Sequence, residues 1–147
     1  MFKYFILVLE HKWVFFKLGK LTHLPLGLRI LHDWSKFLPD EFIPHARALR
    51  VGKELSYDHS TPGFEDSFWL HLARNKHHWE YWLLADSVPN VYLREMVTDW
   101  LATAAQPGHL NTWSWYAENY FVLILLPHER KVVEGWLANI LGPYAGH

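Results

Sequence analysis

Apolar residues recur every three or four positions along almost the whole chain, and a pattern of that period is resolved by helices packed on helices. Over 3–19, Phe5, Val8, Val14, Phe15 and Leu18 keep the spacing and Gly19 closes the run. A second helix starts near Pro25 and runs to about Phe37, where Pro39 stops it. In "PDEFIPHARALR", Asp40 is the expected N-cap, with acids in the first turn and arginines in the last. Residues 51–64 hold two glycines, a proline and several polar residues, and read as a long loop. Asp66 or Ser67 caps a fourth helix through about Leu84, followed by the connection "ADSVPN". Asn90 caps a helix over about 91–105 that "QPG" ends. Asn111 or Thr112 opens an aromatic helix, and Pro127 opens the last one, "PHERKVVEGWLANIL".

No strand-like alternation of useful length interrupts this pattern. The expectation is an all-α fold, a single compact bundle of six to seven helices over residues 1–147, with helices at 111–141 completing the core. At 147 residues, half of them apolar and nine of them Trp, the chain can bury a substantial core. Net charge is −1, with nine Lys/Arg against six Asp/Glu in 1–60 and five against nine in 61–147. That balance lacks the basic footprint of a duplex nucleic-acid binder. There is no cysteine, which removes disulfides and thiolate metal sites. Glu10, His11 and Lys12 break the apolar start, and Phe121–Leu126 is too short to span a bilayer. The expectation is a cytoplasmic protein with no membrane segment.

Charge stands where a core helix should have none. In "GLRILHDWSKF", Arg29, His32, Asp33 and Lys36 fall at i, i+3, i+4 and i+7 of the expected helix and share a face among apolar neighbours. A buried Asp33 needs a partner. A salt bridge to Arg29 or Lys36 is one way to supply it. The other uses the adjacent His32: an imidazole and a carboxylate leaning into one cleft are ligands for Mn, Fe, Mg, Zn or Co.

Further residues on other helices extend the second reading. His11 lies among Leu7, Val8, Val14 and Phe15 on the inward face of the first helix, where a lone His is ordinarily a core residue with one ring nitrogen satisfied. "HLARNKHHWEYW" places His71, Asn75 and His78 on one helical face, with His77 beside them near Arg74; a solvated face is the plainer account of His77. In "REMVTDWLATAA", Asp99 sits among Val97, Trp100 and Leu101 with Glu95 one turn earlier, on a side too apolar for an ordinary surface acid.

The order His11, then His32-Asp33, then a histidine-rich helix, then Asp99 resembles the HD-domain superfamily of metal-dependent phosphohydrolases over about residues 8–105. The "HK", "HD.SKF" and "RN.HHW" segments also resemble a small family of phage and bacterial proteins that supplies no activity. The superfamily resemblance implies that His11, His32, Asp33 and Asp99 bind a first divalent ion. It implies that His71 and one of His77 and His78 bind a second, with Asp33 bridging. Lys36 falls where one branch has a lysine facing substrate phosphate, although Ser35 replaces that branch's glycine. The "GYP" element of cyclic-di-GMP enzymes is missing after "HHW".

The implied activity is hydrolysis of a nucleotide or related small phosphate ester by metal-activated water. Lys36 and Arg29 would hold phosphate oxygens and Arg74 would act as a further clamp, and Trp34, Trp69, Trp79 and Trp82 are candidates to stack a base. Two rivals remain open. The same residues suffice for an oxygen-using di-iron enzyme of related fold. Alternatively, the domain binds a nucleotide or protein and keeps the metal as a staple. In that case "NTWSWYAENYFVLILL" would serve as a partner or homodimer surface, where the preferred reading is a last core helix.

Overall fold

A computed structural model describes residues 1–51, 55–106, 109 and 111–145. Among these residues seven α-helices run in chain order: α1 (Phe2–Leu18), α2 (Leu26–Leu31), α3 (Pro39–Ala48), α4 (Phe64–Arg74), α5 (Asn90–Ala104), α6 (Thr112–Asn119) and α7 (Pro127–Leu141). Short 3₁₀ turns occupy Trp34–Phe37 and Trp79–Trp82. The all-α architecture expected from periodicity is the one observed. Helix α5 is the central post, packed on α1 along one side and on α7 along another, while α3 pairs with α4. Leu93, Met96, Val97 and Leu101 of α5 meet Tyr116, Leu123, Val133 and Leu137 in the main core. Phe15, Leu24 and Ala102 form a smaller cluster between α1 and α5.

Caps were legible where local chemistry decides them. Asn111 Oδ1 accepts from the Ser114 amide at 2.9 Å at the start of α6. Pro127 occupies the first turn of α7. Gly19 follows α1, and a Cβ there would lie 2.7 Å from Arg29 Cγ, so only glycine admits that side chain.

Several expectations are corrected. Part of the 51–64 loop is strand: β1 (Leu49–Val51) pairs antiparallel with β2 (Leu55–Tyr57), a hairpin too short to show an alternation. Helix α3 begins at Pro39 rather than after an Asp40 cap, because a proline at the first position needs no amide. Helix α4 starts behind Gly63, whose φ of +80° sets the entry turn, and ends at Arg74 rather than near Leu84. Helix α5 begins at Asn90, one residue before the expected start, without a side-chain cap. Of the "QPG" stop, Pro107 and Gly108 lie outside the described residues.

The "NTWSWYAENYFVLILL" segment is helical only to Asn119. Beyond it Leu123 and Leu125 turn inward while Phe121, Val122 and Ile124 face outward, so it is not one continuous core helix. Leu126, before Pro127, is extended as proline requires. Among the described residues no helix is long and apolar enough to cross a membrane.

His45 of α3 is a buried structural histidine. Its Nδ1–H donates to the Glu41 carbonyl at 2.9 Å, and its ring lies against Tyr4 and Phe64. Burial pushes its pKa down to about 4 from an ordinary 6.5. The unfolded chain therefore takes up this proton as pH falls below the ordinary value, while the folded chain does not until about 4. Stability carried by neutral His45 is complete above that window and is lost on descending through it. Urea unfolding should show the wild type losing on the order of 2 kcal/mol more than His45→Gln between pH 7 and pH 4.

Candidate metal centre

Four segments deliver the polar side chains. Helix α1 buries the stripe Tyr4, Val8, His11 and Phe15, so His11 points into the bundle. Helix α2 then stops at Leu31, where a helix to Phe37 was expected. His32 is extended (φ −49°, ψ 131°) and Asp33 is left-handed (φ 54°, ψ 26°). In a continuous helix the two side chains would diverge by about 100°; the break turns both toward one point. Asp is among the residues that tolerate the left-handed region, and such strain persists where surrounding contacts hold it. The His32 ring is stacked on Phe15, with centroids 3.5 Å apart and planes 4° from parallel.

Helix α4 contributes His71 and ends as Asn75 turns extended (φ −113°, ψ 112°). The Asn75 amide locks that turn by donating to the His71 carbonyl and to Ser35 Oγ, both at 2.8 Å. His71, Asn75 and His78 therefore do not share a helical face. The chain bends back instead and brings His77 and His78 beside His71, with His77 buried rather than solvated. Helix α5 supplies Asp99 and, one turn before it, Glu95.

These side chains meet in two groups that share Asp33. His11, His32, Asp33 and Asp99 offer ligand atoms all within 4.8 Å of one another, as do Asp33, His71, His77 and His78. In the first group Asp99 Oδ1 lies 2.9 Å from His11 Nε2 and 3.2 Å from His32 Nε2. Asp33 Oδ2 lies 3.6 Å from His32 Nε2 and 4.0 Å from His11 Nε2. In the second group Asp33 Oδ1 lies 3.5 Å from His71 Nε2 and 3.3 Å from His77 Nε2. Ligands about 2.1 Å from a tetrahedral ion are about 3.4 Å apart, so these separations suit donors around a cation.

Unsatisfied atoms give an independent test of that fit. Both Asp33 oxygens, His77 Nε2 and His78 Nε2 are buried with no partner in hydrogen-bond geometry, although the Lys36 ammonium touches Asp33 Oδ2. Orphans of this kind are rare and costly. Here they converge, and a bound cation would satisfy them together. The donor chemistry fits a divalent ion in each group.

Behind the histidines stand two more carboxylates. Glu95 Oε1 lies 3.2 Å from His32 Nδ1 and 3.5 Å from His77 Nδ1, so one oxygen serves a histidine of each group. Glu41, wholly buried, accepts from His71 Nδ1 at 2.9 Å. Glu41 is itself held by Ser35 Oγ and Arg74, each at 2.9 Å. A ring that donates its Nδ1–H to a carboxylate keeps the Nε2 lone pair facing the cluster, which is how metal-binding histidines are oriented.

Burial alone would raise the Asp33 pKa, yet His32, Lys36, His71 and His77 hold it well below the carboxylate range. Burial likewise opposes the charge on Asp99, and hydrogen bonds from His11 and His32 overcome it. Burial would lower His32, but Asp33, Asp99 and Glu95 lift it to about 9, so a proton there balances the carboxylates until an ion displaces it. Burial pushes His77 and His78 down, aided in His77 by the charge on His32 and in His78 by His77 and His71, which leaves both neutral and fit to ligate.

The proposed phosphate-holding residues divide. The Lys36 ammonium touches Asp33, and Lys36 lines a cavity of about 200 Å³ with Tyr4, His11, Tyr57 and Asp99. Arg29 is not brought to the centre: its Nε donates to the Phe16 carbonyl at 2.9 Å and its guanidinium lies 4.2 Å from the Phe16 ring centroid. It joins α2 to the last turn of α1. Arg74 pairs with Asp40 at 2.7 Å and Glu41 at 2.9 Å, so it supports the Glu41 carboxylate that holds His71. A second cavity of about 320 Å³ touches His77, His78 and Asp99 and is walled by Phe68, Trp79, Trp100 and Trp115. Trp69 is exposed and lines neither cavity, whereas Trp34, also exposed, lines a third one of about 380 Å³ with His32, Asp33, Arg74 and His77.

Sequence reasoning missed Glu41 and assigned Glu95 no role. An acid in the first turn of a helix reads as a dipole partner, and nothing in "PDEFIPH" marks Glu41 as buried. Glu95 carried one usable signal, its position four residues before Asp99 on the same helix face. Because Glu95 serves both groups, Glu95→Gln should weaken Mn²⁺ binding by at least tenfold at both sites. Glu41→Gln should weaken only the site holding His71. Competition with a chelating dye, with ion content per chain, reads both.

The chain matches no curated protein and no solved structure. Residues 1–139 match the family model DUF5662, described as a family of unknown function, and the chain belongs to that family.

Proposed function

We propose that this chain is a metal-dependent phosphohydrolase acting on a nucleotide or related small phosphate ester. The observation that carries the reading is Asp33, buried to 1% exposure, with each carboxylate oxygen turned to its own histidine set. A carboxylate with one oxygen toward each group could serve two ions at once, which would suit two-ion hydrolysis of phosphate esters. The resemblance of the His11, His32-Asp33 and Asp99 series to HD-type phosphohydrolases supports the same reading. Five histidines and two aspartates suit Mn, Fe, Co or Zn better than Mg, which prefers oxygen ligands.

When bound, divalent ions there lower the pKa of water and polarise a phosphoryl oxygen. The chain's own residues do the rest. The His32, His71 and His77 rings are fixed by Glu95 and Glu41, so the site is organised before substrate arrives. Lys36 offers a charged donor to a non-bridging phosphate oxygen at the wall of the smaller cavity. The cavity walled by Trp79, Trp100 and Trp115 receives the organic part of the ester. Water adds to phosphorus, the ester P–O bond breaks, and the alcohol leaves with a proton.

The five-histidine set also fits an oxygen-using di-iron centre, and the protein-binding role needs no turnover at all. One experiment separates the three. Protein reconstituted anaerobically with Mn²⁺ is presented with a panel of nucleotides and phosphate monoesters, and released phosphate is measured. We expect turnover, with Asp33→Asn reducing it by at least a hundredfold while the helical signal is retained. Activity only with iron and oxygen would favour the oxygenase. No activity under either condition, with an intact metal centre, would favour the binding role.

A further inference from the structure

Helix α1 buries one polar side chain that the metal centre does not use. Tyr4 is 2% exposed, and its hydroxyl is buried with no hydrogen-bond partner. A phenol of this kind ordinarily finds a partner when buried. Its ring is wedged edge-on against Phe42, with centroids 5.2 Å apart, and stacked near His45 at 6.0 Å. Tyr4 lies two helical turns before His11 on the same buried stripe, and it lines the cavity of about 200 Å³ that also holds Lys36, His11 and Asp99.

We infer that the Tyr4 hydroxyl and the Lys36 ammonium form an anion subsite beside the metal centre, which takes a tetrahedral oxyanion such as phosphate. The two groups are complementary donors. Lys36 supplies an ammonium that lines the cavity and touches Asp33. Tyr4 keeps its proton, because burial raises its pKa further than Lys36 lowers it. A neutral donor suits the position, since Lys36 already contacts Asp33 and a second cation would be repelled by the bound ions. The orphan hydroxyl is then explained as a donor whose acceptor arrives with the ligand. The choice of phosphate as the anion rests on the hydrolase reading; the donor pair itself rests on the geometry.

The test is inorganic phosphate titrated calorimetrically into the Mn²⁺-loaded full chain. Tyr4→Phe keeps the ring that packs on Phe42 and His45 and removes only the donor. It should bind phosphate about tenfold more weakly, with Mn²⁺ stoichiometry and melting temperature unchanged. Equal phosphate affinity in the two proteins overturns the subsite and leaves the hydrolase reading standing. A parallel loss of Mn²⁺ also overturns it, because Tyr4 would then act through the metal centre. If neither protein binds phosphate, the subsite falls, and the hydrolase reading is decided by the turnover assay alone. If the Tyr4 effect is found but no phosphate ester turns over, the subsite stands and the hydrolase reading falls.

Discussion

One carboxylate, Asp33, is held out of water between two sets of imidazoles, and much of the bundle is arranged around keeping it there. An isolated buried aspartate is costly. Here the cost is offset by four histidines and Lys36 on the inner side and by a left-handed backbone that aims both oxygens at once. Removing one partner would leave a charge the core cannot solvate. The packing of α1, α2, α4 and α5 therefore depends on the centre as much as the centre depends on the packing.

Support for that carboxylate is layered. Glu95 ties His32 to His77, Glu41 holds His71, and Ser35 and Arg74 hold Glu41. Asn75 fastens the end of α4 to Ser35 and so fixes the bend that brings His77 and His78 inward. Two cavities share Asp99 in their walls, and a third is lined by His32, Asp33, His77 and Glu95.

What was readable in the chain follows from how local each cause is. Helix existence is written in apolar spacing, and the starts at Asn111 and Pro127 are written in single residues. The histidines and aspartates were readable as ligand types because so few other roles explain Asp99 on an apolar face. The breaks after Leu31 and Arg74 were not readable. Arg29, His32, Asp33 and Lys36 keep perfect helical spacing, and only the stacking of His32 on Phe15 and the pull of distant histidines on Asp33 favour the turn. Arg29 was misjudged for the same reason: its partner, the Phe16 carbonyl beside Gly19, is a tertiary contact. Glu41 and Tyr4 have no sequence signature, since their significance lies in what surrounds them.

The shared oxygen of Glu95 has a consequence for how the centre fills. Were each group to take an ion, occupancy of one side would fix a histidine there and, through that oxygen, alter the basicity available to its counterpart. The two loading events would then be thermodynamically linked, reciprocally and whichever side filled first. A titration of the apoprotein would trace one joined isotherm rather than the sum of two independent ones.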